Sequence, residues 1–172
     1  VWSYHGAHQG EMMRSFGSRK PGWFDITWTG YGGTGIDRYH HWRRALDGGT
    51  HGVAYWWFLQ VLNPDFQISR SAREHLEMSR QLREGVGQLL IGRRLDTSGI
   101  AIHYSQASSH CAYAKNALPA WTNARYEWVR IVKHTGRQMD FLSYEELEKG
   151  ELTYPKWKVL ILPYSVAMSD GE

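Results

Sequence analysis

One cysteine, Cys111, is all the thiol this chain of 172 residues carries, and a single thiol excludes a fold stapled by internal disulfides. It leaves the compartment open, because cytosolic and exported enzymes alike can carry one. No apolar run reaches the roughly 20 residues that a membrane-spanning helix requires, so a helical membrane anchor is not expected. A basic, apolar, small-residue leader is also missing, which favours the cytoplasm while leaving secretion open. Charge of one sign is scarce too. The formal net charge is only +3, and Arg43-Arg44 and Arg93-Arg94 are pairs rather than patches, so nucleic acid is not an expected partner. The glycines at 30, 32, 33 and 35 lack both a GxGxxG frame and a Lys-Ser/Thr step, so no phosphate-bearing cofactor is expected. No Cys or carboxylate completes a ligand set with His5, His8 or His40-His41 at usable spacing, and no metal site is expected.

Aromatic residues, by contrast, are abundant: 9 Trp, 10 Tyr and 5 Phe. They concentrate in Gly52-Val53-Ala54-Tyr55-Trp56-Trp57-Phe58, an apolar strand ending in four consecutive rings. Successive strand side chains point to opposite faces, so one of Trp56 and Trp57 should face a sheet or barrel interior and the other should pack beneath a helix. Trp28-Thr29-Gly30-Tyr31 repeats the pattern upstream. Rings at strand ends suit the apolar faces of sugars, and they equally suit a wide aromatic core.

Strand and helix signals alternate along the chain. Val1–His5 reads as the end of a strand, followed by a loop from Gly6 to Gly22 with a helical turn around Glu11–Arg14. Trp23–Trp28 is rich in aromatic and β-branched residues and predicts a second strand. Asp37 can cap a helix to about Leu46, and Gly52–Phe58 is the third strand. A turn at Asn63-Pro64-Asp65 precedes a helix with a capping box at Ser71–Glu74, whose Leu82, Val86, Leu89 and Leu90 share one face. A polar stretch at Arg93–Ser98 reads as a domain junction. Beyond it come a strand at Gly99–Tyr104 and a helix placing Trp121, Ala124, Trp128, Ile131 and Val132 on one face. Strands at Met139–Leu142 and Trp157–Pro163 follow, with Ser143 capping a short helix between them. Apolar strands alternating with helices predict an α/β fold with parallel sheets covered on both faces. The β-α-β-α-β order after residue 98 is the opening half of a doubly wound sheet. Ser169-Asp170-Gly171-Glu172 has capping-box spacing, and the sequence reads as a piece of a longer protein.

Ile100–His110, Asp140–Tyr144 and Val159–Ser165 resemble the trimerisation domain of glycoside hydrolase family 42 β-galactosidases and their relatives. His40–Leu46 with His51–Trp57 is similar to the last helix–strand passage of that family's (β/α)8 barrel. The resemblance implies two domains: residues 1–95 as the C-terminal part of a TIM barrel, and residues 98–172 as the first half of a flavodoxin-like or class I amidotransferase-like trimerisation domain. It further implies a carbohydrate substrate, a homotrimer, and retaining hydrolysis of a terminal β-galactoside by two glutamates. Retaining chemistry needs two carboxyl groups about 5–5.5 Å apart, standing at the C-terminal ends of barrel strands. The strand where the resemblance places the nucleophile, Trp23–Tyr31, contains no glutamate. The alternative is therefore a non-catalytic carbohydrate-binding or assembly protein with the same fold.

Candidate site residues follow from both lines. Trp28, Tyr31, Trp56 and Trp57 are the candidate substrate-binding wall. Glu11, beyond the first strand, is the one candidate for a catalytic carboxylate, with a solvated loop position as its plain reading. Asp25 is mid-strand and reads first as a structural hydrogen-bonding group. Cys111 lacks the tight Gly-x-Cys-x-Gly turn that would present a nucleophile and reads as a buried or loop thiol.

Overall fold

The computed structural model describes residues 2–4, 7–16, 24–28, 52–56, 62–92 and 96–172. The chain divides into two compact units, Val1–Arg14 with Arg19–Arg94, and Ser15–Ser18 with Leu95–Glu172. In the first, strands β1 (Trp2–Tyr4), β2 (Phe24–Trp28) and β3 (Gly52–Trp56) form a parallel sheet in the order β1-β2-β3. Parallel neighbours need a crossover, and the one between β1 and β2 contains helix α1, Ala7–Phe16. This ten-residue helix replaces the loop with a single helical turn that the sequence predicts. Gly10 and the scarcity of apolar spacing hide it, while Glu11 and Arg14 support it as an ion pair one turn apart.

The expected turn after the third strand is present. The Asn63 amide donates to Gln67 O at 2.8 Å, the Phe66 amide to Asn63 O at 2.9 Å, and Asp65 Oδ1 accepts from the Gln67 amide at 3.0 Å. Helix α2 (Arg70–Gln81) then starts earlier than the Ser71 capping box implies. Ser69 is the cap: its Oγ accepts from the Ala72 amide at 3.1 Å, so Ser71 lies inside the first turn. The predicted apolar stripe beyond α2 is also broken. A π-helical turn, Leu82–Val86, contains Gly85 at φ 139°, and α3 (Gly87–Gly92) resumes after it. That backbone rotation takes Val86 and Leu89 off the 3.6-residue period, and Leu89 is 77% exposed.

The second unit is a parallel sheet in the order β5-β4-β6, the arrangement in which doubly wound sheets begin. Central strand β4 (Ile100–Tyr104) is followed by α4 (Gln106–Ala114) and α5 (Leu118–His134). Edge strand β5 (Asp140–Ser143), the short helix α6 (Tyr144–Glu148) and strand β6 (Val159–Ile161) complete it. Ala101, Ile102 and His103 in mid-β4 are buried, as expected for a strand covered on both faces. Phe141, Leu142, Met139, Ala112, Val129 and Val132 extend the core around them. Ser143 forms the predicted reciprocal capping box with Glu146. Gly99, entering β4 at φ 71°, cannot be replaced without collision, because a Cβ there would overlap the Lys156 carbonyl.

Helix α5 buries Trp121 and Val132 of the predicted stripe but not Trp128 or Ile131. Trp121, Arg125, Val129 and Val132 face inward, whereas Trp128 is 40% and Ile131 49% exposed. An arginine at a core position argues against that stripe in sequence. The fold accommodates it by laying the guanidinium 3.4 Å from the Trp121 ring centroid and 5.2 Å from that of Tyr104, a cation–π arrangement. Burial pushes this guanidinium down to about 10. Among the described residues no helix is long and apolar enough to cross a membrane.

Candidate functional site

The sheet of the first unit brings two of the four candidate aromatic positions side by side. In the parallel register of β2 and β3, Trp28 is paired with Trp56, and each is the last residue of its strand. Tyr31 and Trp57, the other two, lie outside the described residues, as do His5, His40-His41 and Gly30–Gly35. Asp25 is in mid-β2, in register with Ser3 and Val53. Glu11 is on α1 rather than in a loop, and it is fully buried. Its Oε2 accepts from Arg14 Nε at 3.0 Å and Nη2 at 2.9 Å. A carboxylate clamped by a guanidinium one turn away is held in one orientation, which suits a positioning role.

A second constellation, in the other unit, went unrecognised in the sequence. It stands at the C-terminal ends of β4 and β6. His103, the penultimate residue of β4, is buried, and its two ring nitrogens are both engaged. Nδ1 lies 3.0 Å from Ser165 Oγ, and Nε2 lies 2.9 Å from Glu172 Oε1. A carboxylate only accepts, so Nε2 carries the proton and Nδ1 accepts from the Ser165 hydroxyl. Glu172 Oε2 in turn accepts from the Ser169 amide at 2.6 Å, and the Glu172 amide donates to Ser169 Oγ at 3.3 Å. These are the reciprocal bonds of the capping box read in the sequence. Burial pushes the His103 imidazole below its usual range, opposed by the hydrogen bond and charge of Glu172. The ring is consequently neutral near pH 7.

Two buried serines hold the surrounding chain. Ser105 caps α4, accepting from the Ser108 amide at 3.1 Å, and its Oγ donates to Ala167 O at 2.8 Å. Ser108 Oγ donates to the same carbonyl at 2.7 Å and accepts from the Ala167 amide at 3.0 Å. Tyr164, just past β6, is left-handed at φ 53°, a conformation non-glycine residues adopt sparingly. Cys111 is partly exposed within α4 rather than fully buried or in a loop. The available signal was a polar residue, His103, in an otherwise apolar strand. His103, Ser105 and Ser165 all fall inside the stretches that carry the family resemblance, yet nothing local pairs them. Among the described residues no group of three or more His, Cys, Asp or Glu side chains is arranged to hold a metal.

These features define a mixed α/β protein built on small parallel sheets. No family model matches the chain, and no curated protein matches it. Among solved structures it is similar to the β-galactosidase from the psychrophilic Marinomonas ef1, with a TM-score of 0.61 and 15% identity. The similarity covers 95% of this chain and 28% of that one, so the chain spans under a third of that enzyme's length. At this identity the likeness establishes a related fold.

Proposed function

We propose that the chain is part of a β-galactosidase-like glycoside hydrolase that acts on a terminal β-linked sugar. In this reading residues 1–95 are the C-terminal part of a TIM barrel. Residues 98–172 begin a flavodoxin-like trimerisation domain, and the whole protein is a homotrimer. The observation that carries the reading is the fold similarity to a β-galactosidase over 95% of the chain. The pairing of Trp28 with Trp56 at adjacent strand ends supports it, since the C-terminal ends of parallel barrel strands are where such sites are built. Trp28, Tyr31, Trp56 and Trp57 supply rings for stacking on the sugar.

The test is release of nitrophenol from aryl β-galactosides by the full-length protein. Turnover that loses about tenfold in kcat/KM on Trp28→Ala or Trp56→Ala, a change of about 1.4 kcal/mol, is the expected result. The absence of glutamate from residues 23–31 favours a second reading, a non-catalytic carbohydrate-binding protein. Galactoside binding without turnover selects that one. Neither binding nor turnover refutes both.

A further inference from the structure

The Ser165–His103–Glu172 constellation has no part in sugar hydrolysis as proposed, and it has the order of a nucleophile, its base and the group that orients the base. We infer that it is a second, independent reactive centre, in which Ser165 is an activated nucleophile for acyl transfer from small carboxylic esters. Four observations converge on it. The two links are 3.0 and 2.9 Å, within the reach required for proton transfer. His103 and the Glu172 side chain are buried, at 0% and 2% exposure, while Ser165 is only half-buried. The pair of strand ends, β4 and β6, is the point where strand order reverses about the first strand, and open α/β sheets bind ligands outside such switch points. The backbone immediately before Ser165 is left-handed at Tyr164, and conformations of this kind cluster at functional sites.

The chemistry balances with the groups present. Ser165 Oγ attacks the ester carbonyl carbon as its proton passes to His103 Nδ1. The bond from that carbon to the alkoxy oxygen breaks, and Nδ1 returns the proton to the departing alcohol. Water then gives a proton to Nδ1 and attacks the acyl carbon, and Ser165 leaves as its hydroxyl is restored. Glu172, bonded to Nε2, is a positioning residue: it sets the tautomer that leaves Nδ1 free to accept. Leu162, Val166 and Met168, close to Ser165 in sequence, are 50%, 57% and 40% exposed, apolar neighbours that favour a short acyl group over a charged one.

The experiment treats the purified protein with a fluorophosphonate and maps the adduct by mass spectrometry, with p-nitrophenyl acetate as a turnover probe. An adduct at Ser165 is expected, with its rate rising through a single ionisation below the usual histidine value of 6.5. His103→Gln should slow labelling by about a hundredfold, the scale of a lost general base. Glu172→Gln should slow it less and move the pH midpoint, which a merely structural role would not do. No adduct at Ser165 overturns the inference, as does an equal labelling rate in a folded His103→Gln protein. If that variant does not fold, the wild-type profile decides: a rate that rises only with hydroxide overturns the inference. Galactosidase turnover is measured in parallel, so failure of either proposal leaves the other standing.

Discussion

Removing the Ser108 hydroxyl should destabilise the protein by about 2–3 kcal/mol, more than removing the helix cap beside it. Ser108 is fully buried, and its Oγ is both donor to Ala167 O and acceptor from the Ala167 amide. In Ser108→Ala the carbonyl keeps its bond from Ser105 at 2.8 Å, but the amide loses the acceptor seen here. A buried donor left without a partner is destabilising by about 1–3 kcal/mol, and the bond lost at the carbonyl, which keeps Ser105, adds roughly 1 kcal/mol at most. Partial solvation of the half-buried Ala167 brings the total down to the stated range. Ser105→Ala removes the α4 cap, worth about 1 kcal/mol, and leaves Ser108 holding both polar groups of Ala167. The double variant orphans the carbonyl as well, so it should exceed the sum of the single variants by about 1 kcal/mol, within the range for residues sharing a partner. Urea unfolding at constant m-value reads these differences, and hydrogen exchange at the Ala167 amide localises them. A Ser108→Ala effect within 0.5 kcal/mol of zero, or smaller than that of Ser105→Ala, would refute the reasoning (bounds set by the same bond energies).

Three further expectations are separate from the serines. Because burial lowers His103 from the usual 6.5, the folded form binds fewer protons than the unfolded one between its own value and 6.5. Stability from this group is therefore complete above pH 6.5 and lost as pH falls through the folded value; a pH series of urea midpoints that His103→Gln does not flatten contradicts this. Phe141, 1% exposed in the core of the second unit, should lose about 3–5 kcal/mol on Phe141→Ala, and a loss under 1 kcal/mol in urea unfolding would contradict its core placement. Gly99→Ala forces a side chain into the left-handed region against the Lys156 carbonyl and should destabilise by more than 1 kcal/mol; a neutral melting result would show that the β4 entry relaxes.

The sequence by itself determined the alternation of strands and helices, because that alternation is written in short-range terms. β-Branched and aromatic runs at Phe24–Trp28, Ile100–Tyr104 and Val159–Ile161 are strands, and Ser143 with Glu146 closes a cap over three residues. Where two local readings compete, tertiary packing decided. Ser69 prevails over Ser71 as a cap, Gly85 breaks the stripe through Leu89, and Arg125 rather than Trp128 turns inward because aromatic rings await its guanidinium. The paired position of Trp28 and Trp56 depends on register between strands 28 residues apart in number, and the His103 constellation joins residues separated by 62 and 69 positions. Local pattern carries no term for such separations; only closing the sheet brings β4 and β6 side by side and makes a site of residues that read singly as ordinary.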